Sequence, residues 1–415
     1  MIYVHDPAQH SSPNRRSGES DLPPLAPGTT WARFGRETLL FNEDDEKYGV
    51  TAGRASRGAR YPRRQVAATR DQLHVVVQHG RSFQQQHPDV PVLHDRGRFL
   101  LVQIDPADAR RLQSERETCY GVMPLQPDQV VFDERERAAA RAPDPAIAAL
   151  AARVTRSSVE SNVKKLASLG TRYATSAGFE AAAKFARDQF ESIGYATTIQ
   201  DVPAGTGRSR NVIASKARSG PPATRVVIVA AHLDSINLDG GPAAPAPGAD
   251  DNASGSAGVL EIARALADRQ SSDELRFILF GAEELGLLGS RHYVSRLAAA
   301  ERSRIAAVIN MDMIGSLNSS SRGVLLEGAP VSRTLMDRLG DAASTYTDLT
   351  VETSIYPFAS DHVPFIEKGI PAVLTIESAD NTNHSIHSAH DTLERIDYEL
   401  LTGILRMNVA FIAAN

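Results

Sequence analysis

Imidazole and carboxylate side chains follow three apolar segments of this chain, each with the composition of a buried β-strand. The apolar segments are residues 226–231, 277–280 and 307–311, and the polar side chains after them are His232, Asp234, Glu283, Glu284 and Asp312. Ligands of open α/β sheets bind at the carboxyl ends of the strands, so these groups are expected together at one edge of a sheet. Nitrogen and oxygen donors without a thiolate suit zinc, manganese or cobalt. The pattern therefore predicts a metal site.

A loop and a later segment are expected to complete this site. Asp251 lies just before a predicted helix, at the same edge as the strand ends. One imidazole with one or two carboxylates is only part of a catalytic zinc site, so a downstream histidine is expected. The candidates are His362, His384, His387 and His390. Their spacing alone does not choose among them.

The order of predicted elements indicates an α/β fold for residues 150–415. Near-continuous apolar strands alternate with amphipathic helices, which is typical of a mostly parallel sheet covered by helices on both faces. The strands are predicted at 211–216, 225–231, 275–280, 306–311, 324–327 and 372–376. The helices are predicted at 157–169, 176–193, 254–268, 287–299, 332–345 and 396–413.

The first part of the chain has a different composition. Residues 1–30 are rich in Ser, Pro, Arg and Gly without a hydrophobic period, which predicts a flexible arm. Residues 31–145 contain two predicted strands, 73–77 and 99–104, and a short helix after the second, which indicates a small α+β domain. A pro-region, a lid and an oligomerisation module are the three roles considered for it.

The composition is that of an ordinary globular protein. The chain has 415 residues, of which 42% are hydrophobic and 23% charged, with a formal net charge of -5. This balance excludes a strongly basic nucleic-acid-binding surface. Cys119 is the only cysteine, which excludes an intrachain disulfide and a multi-cysteine zinc site. No apolar stretch approaches the roughly 20 residues that span a bilayer, so no membrane association is expected.

The start of the sequence bears on localisation. It has no basic segment followed by an apolar one, which predicts a cytoplasmic protein. A trimmed or mis-assigned N-terminus would read the same way, so a secreted or periplasmic protein is the alternative. The oligomeric state is left open by the sequence.

Five ordered segments resemble the motifs of the di-zinc aminopeptidases typified by bacterial leucyl aminopeptidase, whose relatives include glutamate carboxypeptidase and glutaminyl cyclase. The segments are 232–235 with His232 and Asp234, 248–255 with Asp250 and Asp251, 282–290 with Glu283 and Glu284, 310–313 with Asp312, and 386–392 with His387. The resemblance covers roughly residues 155–415. It implies the zinc exopeptidase fold, and it selects His387 among the four downstream histidines.

The resemblance also implies a role for each matched residue. Asp251 is expected to bridge two Zn²⁺ ions, for which Co²⁺ or Mn²⁺ could substitute. His232 and Asp312 would complete one ion's ligands, and Glu284 and His387 the other's. A carboxylate behind a ligand histidine fixes its tautomer, which is the role implied for Asp234. Glu283 would be the general base that activates a metal-bound water.

Three residues are expected on the substrate side of the site, namely Tyr356, Phe358 and Asp361. The family's enzymes have a tyrosine hydroxyl that helps to hold the tetrahedral intermediate, and Phe358 occupies the matching position here. Tyr356 is two residues away and is the candidate substitute. The disulfide that the bacterial enzyme type has near this segment is absent, because the chain has a single cysteine.

Other polar residues near the motifs are given supporting or packing roles. Asp250 is expected to orient its loop, and His390 to be solvated or to lie beside a ligand rather than to be one. Arg172 and Tyr173 are expected to pack between the first two helices of the second domain, with a contact to the active-site edge as the alternative.

The implied function is that of a zinc-dependent aminopeptidase acting on peptides with a free N-terminus. Two alternatives on the same fold are a glutaminyl cyclase, which uses one zinc ion, and a carboxypeptidase acting on acidic dipeptides or modified amino acids. A non-catalytic binding module is the alternative from another class. It is disfavoured because all the matched ligand and base positions are intact.

Overall fold

The computed structural model describes residues 4–5, 28–42, 48–50, 64–114, 119–137, 142–216, 225–271 and 273–415. Most of the predicted arm, residues 6–27, lies outside the described residues. The chain forms two compact units, Met1–Glu134 and Arg135–Asn415.

The division falls after Glu134 rather than at residue 145, within the charged stretch of the sequence. Arg135 forms an ion pair with Asp341, and Arg137 forms another with Asp348 at 3.1 Å. These contacts attach the start of the second unit to its own helical layer. A helix begins soon afterwards, capped by Asp144, whose side chain accepts from the backbone N–H groups of the first turn.

The first unit is an α+β module. Its strands are β1 (Val4–His5), β2 (Thr29–Phe34), β3 (Glu37–Asn42), β4 (Tyr48–Val50), β5 (Arg64–Ala68), β6 (Leu73–Gln78), β7 (Val92–Arg96), β8 (Phe99–Gln103), β9 (Tyr120–Pro124) and β10 (Gln129–Arg135), and its helices are α1 (Ser82–Gln86) and α2 (Pro106–Ser114). Strands β7, β8, β6 and β9 form an antiparallel sheet in that order. Helix α2 packs Leu112 into the same core as Val76 and Leu100.

The second unit is built on a mixed, mostly parallel sheet. Its strands are β11 (Ala196–Ala204), β12 (Gly207–Ser215), β13 (Val226–His232), β14 (Glu274–Phe280), β15 (Ile305–Met311), β16 (Gly323–Glu327), β17 (Thr350–Ser354) and β18 (Ala372–Glu377). They follow the order β17, β16, β18, β15, β13, β14, β12, β11. The four central strands β18, β15, β13 and β14 are parallel, whereas β12 and β16 run antiparallel to their central neighbours.

Helices cover both faces of this sheet. They are α3 (Pro145–Ala151), α4 (Arg156–Ala167), α5 (Ala177–Ser192), α6 (Ala253–Ala265), α7 (Leu288–Ser295), α8 (Ala299–Arg304), α9 (Arg333–Tyr346), α10 (Val363–Ile366) and α11 (Tyr398–Ala413). Alternate residues of β13 enter different cores, as the two-residue period of a strand requires. Val227 and Val229 pack with α4, α5, α6, α9 and α11, and Val226 and Ile228 pack with α7 and α10. The predicted fold class is confirmed.

Some elements differ from the sequence predictions. The single helix predicted over 287–299 is wrong, because α7 ends at Ser295 and Ala298 has an extended backbone before α8 begins. Strands β11 and β17 were not among the predicted strands. Strand β11 has exposed polar residues such as Thr198 and Asp201, so it lacks the apolar run of a central strand. Within the described part of the chain, no helix combines the length and apolar composition needed to cross a membrane.

Substitution of Phe190 by alanine tests the packing of α5. Phe190 is fully buried, and its ring lies 6.2 Å from that of Phe277 and 6.3 Å from that of Tyr195. We expect F190A to lower the free energy of unfolding by about 3–5 kcal/mol, because it leaves a cavity in the core. F185A, on the same helix but half-buried, is the matched control and should cost clearly less. Chemical denaturation followed by circular dichroism measures both, and equal losses would contradict the assignment of Phe190 to the core.

Candidate metal centre

The parallel strands deliver the predicted site residues to one edge of the sheet. His232 is the last residue of β13, Glu283 and Glu284 follow β14, and Asp312 follows β15. His387 lies in the long loop after β18. Because β18, β15, β13 and β14 are parallel neighbours, their carboxyl ends meet at the same edge.

Asp251 lies between two groups of donor atoms. Its Oδ1 is 3.1 Å from Nε2 of His232, which is also 3.1 Å from Oδ1 of Asp312. Its Oδ2 is 3.0 Å from Nε2 of His387, which is 3.1 Å from Oε2 of Glu284. His232, Asp251 and Glu284 also offer three donor atoms within 4.8 Å of one another. Together with Asp312 and His387, these three residues form the donor set. It consists of two groups of nitrogen and oxygen donors that share the carboxylate of Asp251.

Burial and mutual charge set the protonation of these groups. Burial by itself would raise the pKa of Asp251, but His232 and His387 hold it well below its usual value. Burial by itself would lower the pKa of His232, but Asp312 and Glu283 are among the carboxylates that raise it well above its usual value. Metal ligands must be deprotonated, so a cation bound here would take the place of the proton on His232.

The two adjacent glutamates occupy different environments. Glu284 faces His387, and burial raises its pKa to about 7. Burial also raises the pKa of Glu283 well above its usual value, and the carboxylates of Asp312 and Asp361 add to this effect. Glu283 is therefore a buried carboxyl group at the edge of the donor set with a strong tendency to hold a proton.

Asp234 supports both the histidine and the glutamate pair. Its Oδ1 is 3.6 Å from Nδ1 of His232, and its backbone carbonyl is 3.2 Å from the same nitrogen. The backbone N–H groups of Glu283 and Glu284 donate to Oδ1 and Oδ2 of Asp234, both at 3.2 Å. The sequence linked Asp234 only to His232. The structure adds that this carboxylate fixes the backbone that presents both glutamates.

Asp391 supports Asp251 in the same way, and the sequence did not single it out. Its carboxylate accepts the backbone N–H groups of Asp250 at 3.0 Å and Asp251 at 2.9 Å. Its position four residues after His387, in the same polar segment, was the available signal. The side chain of Asp250 accepts from the backbone of Gly315 and the amide of Asn383, both at 2.8 Å, so it braces its own loop.

The loop 355–362 contacts the site through Ser360. The Ser360 hydroxyl donates to Oδ2 of Asp312 at 2.5 Å, and sequence reasoning had given this serine no role. Asp361 is fully buried, and burial raises its pKa to about 7. Tyr356 and Phe358 are half-buried, and their backbone N–H groups donate to side chains of the neighbouring strands.

Among the four downstream histidines, His387 is the one whose ring reaches the donor groups. His362 is fully buried, with Nε2 3.5 Å from Oε1 of Glu327. His384 and His390 are exposed, and the backbone N–H of His390 donates to the Ser388 hydroxyl.

Comparisons with known proteins identify a family model and several chains that are similar to this one. Residues 211–412 match the model of Peptidase family M28. The chain is 35% identical over 204 residues to Aminopeptidase YwaD of Bacillus subtilis, a match that covers 46% of this chain and 42% of that relative. The chain thus spans less than half the length of this relative. The predicted family resemblance is confirmed.

Two solved structures share the fold of much of this chain. BSAP, a zinc aminopeptidase from Bacillus subtilis, matches with a TM-score of 0.57 at 20% identity, over 63% of this chain and 95% of that chain. The glutaminyl cyclase of Porphyromonas gingivalis matches with a TM-score of 0.52 at 23% identity, over 63% of this chain and 98% of that chain. Both similarities concern the fold, so the fold by itself does not separate these two activities.

Substitution of two nearby histidines tests which one reaches the donor set. We expect H387A to lower the amount of divalent metal retained per chain, because it removes an imidazole next to Asp251 and Glu284. H390A, three residues away and exposed, is the matched control and should retain as much metal as the unmodified protein. Elemental analysis after removal of unbound metal measures both. Equal retention by the two variants would exclude His387 as a ligand.

Proposed function

We propose that this protein is a zinc-dependent aminopeptidase that hydrolyses the N-terminal peptide bond of peptides. The observation that carries the proposal is the position of Asp251, whose two oxygens face two separate groups of donors. A shared carboxylate between two such groups is what a pair of metal ions a few ångströms apart requires. The M28 family match of residues 211–412 supports the same conclusion.

The residues present suit two Zn²⁺ ions. Imidazole nitrogen and carboxylate oxygen are preferred zinc ligands, and Co²⁺ or Mn²⁺ could use the same set. His232 and Asp312 would hold one ion and Glu284 and His387 the other, with Asp251 shared by both. Oε1 of Glu284 is buried and has no hydrogen-bond partner among the described residues, which is consistent with a place in such a set.

Glu283 is the proton carrier in the proposed reaction. Bound zinc would lower the pKa of a water molecule and polarise the scissile carbonyl. Glu283 takes the proton of that water on a carboxylate oxygen and returns it to the leaving amine. The contact between Asp234 and the backbone N–H of Glu283 fixes the position from which this transfer occurs. Burial raises the pKa of Glu283, so this carboxylate accepts a proton more readily, which favours the first half of this transfer.

Cleavage would be restricted to the N-terminal residue because the site has a surplus of negatively charged carboxylates. The α-amino group of a peptide is a cation at neutral pH, and the site has several buried carboxylates to receive it. Asp361, which is fully buried beside this set, is the proposed contributor from loop 355–362. Tyr356 and Phe358, in the same loop, are the proposed contacts for the rest of the substrate.

A glutaminyl cyclase is the second candidate, because an enzyme of that name shares the fold. A cyclase of this kind uses one metal ion and no water. The paired donor groups around Asp251 favour hydrolysis over that reaction. A carboxypeptidase would need a basic side chain for the substrate carboxylate, and the motif segments supply none.

Three peptides that differ only at the N-terminus distinguish these functions. We expect a peptide with a free N-terminus to lose its first residue and its N-acetylated form to stay intact, because acetylation removes the cationic group that the carboxylates bind. A peptide that begins with glutamine should also lose that residue. Mass spectrometry of the products decides the outcome. Loss of ammonia from the glutamine peptide, with one tightly bound zinc ion per chain, would refute the peptidase assignment.

Substitution of the proposed base separates catalysis from metal binding. We expect E283Q to retain metal and fold while turnover falls by roughly 10²–10⁴, the range typical of losing a general base. E284Q is the matched control next to it, and it should lose metal because it removes a proposed ligand. Elemental analysis and initial rates with the free peptide measure the two effects. Turnover of E283Q close to that of the unmodified protein would remove Glu283 from this role.

A further inference from the structure

Arg172 is a fully buried cation behind the donor set, in the segment between α4 and α5. Its guanidinium donates hydrogen bonds to four backbone carbonyls. The acceptors are Leu233 at 2.8 Å, Pro247 at 2.5 Å, Gly248 at 3.0 Å and Leu166 at 3.4 Å. One side chain therefore joins three separate parts of the second unit.

Two of these attachments lie directly beside proposed metal ligands. Leu233 follows His232 at the end of β13, and Gly248 begins the turn that leads to Asp251. The turn is fitted closely to the guanidinium, since a Cβ on Gly248 would lie 2.9 Å from Nη2 of Arg172. Movement of Arg172 would therefore change the distance between the strand end and the turn that carries the shared carboxylate.

The backbone of Arg172 strengthens the same connection. Its N–H donates to the Ser235 hydroxyl at 3.1 Å, and its carbonyl accepts from the Ser235 N–H at 3.3 Å. The Ser235 hydroxyl in turn donates to the carbonyl of Ala246 at 2.8 Å. Ser235 thus links the segment after His232 to the segment before Gly248, with Arg172 between them.

Charge is the second contribution of this arginine. Burial lowers the pKa of Arg172 to about 10, so it stays cationic at neutral pH. The carboxylates that favour its charged form are those of Asp391, Asp234, Asp251 and Glu284, in that order. All four belong to the donor set or hold it in place. A planar guanidinium can satisfy several acceptors at fixed angles, which the single ammonium of a lysine cannot do.

We propose that Arg172 is a positioning residue for metal binding, which holds the His232 strand end and the Asp251 turn at the separation that a bound zinc ion needs. Its cationic charge also compensates the surplus of buried carboxylates. The inference rests on the proposed metal centre, and it holds whichever reaction that centre performs.

The zinc affinity of R172K tests this inference. Lysine keeps the charge and loses the multiple fixed hydrogen bonds, so we expect zinc to bind about 10- to 100-fold more weakly, as for other residues that orient metal ligands. Competition with a chromogenic chelator on the full-length protein measures the affinity. This readout does not depend on catalysis. A chain that binds zinc but cleaves no peptide would refute the aminopeptidase function and leave this test intact.

R276K is the matched control for a general loss of stability. Arg276 is also largely buried, and its hydrogen bonds to Tyr293 and Glu301, both at 2.7 Å, lie within β14 and its helical neighbours, away from the donor set. We expect R276K to lower the melting temperature while zinc affinity stays within about twofold of the unmodified protein. Unchanged zinc affinity in R172K, with a melting temperature lowered as in R276K, would overturn the proposal.

A second variant decides the matter if R172K does not fold. S235A removes the hydroxyl that joins Arg172 to Ala246 and leaves the guanidinium in place. We expect a severalfold fall in zinc affinity for S235A, since the connection is weakened rather than lost. Zinc affinity equal to that of the unmodified protein would overturn the proposal in that case.

Discussion

The concentration of ionisable side chains in a largely buried part of the sheet edge is the constraint on which the second unit depends. Asp251, Asp312 and His232 are nearly or fully buried at the edge of the sheet. Charges taken out of water are costly unless partners of opposite sign compensate them. Two histidines compensate part of the negative charge here, and a bound cation would compensate the remainder. The fold therefore places these buried charges where a bound metal ion would offset the free-energy cost of their burial.

Such an arrangement needs support from outside the donor set. Asp234 holds the backbone of the two glutamates, and Asp391 holds the backbone of Asp251. The Ser256 hydroxyl, on α6, donates to the carbonyl of His232 at 2.6 Å. Each of these contacts fixes a backbone position rather than a donor atom. Fixing the backbone removes the freedom by which like charges would move apart, so the donors stay close before any ion binds.

The sequence predicted correctly those strands whose apolar residues form a continuous run. The apolar runs of β13, β14 and β15 predicted central parallel strands, and the polar residues after them marked the edge where the donors meet. It missed β11 and β17, whose burial patterns include exposed or half-buried positions. Strand β11 is an edge strand with a partner on one side only, so its sequence need not be apolar throughout.

The supporting residues were harder to predict for a different reason. Arg172 and Ser360 act on groups distant in sequence, and Arg172 does so through backbone carbonyls that any residue could supply. No spacing rule links an arginine before α5 to the turn at Gly248. His387 shows the limit of spacing as well, since four histidines were available and the motif resemblance, rather than their separation, selected it.

The loop 355–362 is attached to the rest of the second unit at two points. One end is fixed to the donor set, because Ser360 donates to Asp312. Its middle is fixed to the sheet, because the backbone N–H of Phe358 donates to the buried carboxylate of Glu327 at 2.9 Å. These two contacts use a serine hydroxyl and a backbone N–H, so they do not depend on which side chains occupy positions 356 and 358. Changes of those two side chains would therefore leave both loop attachments in place, and differences in such loops are one way in which a shared fold hosts different activities.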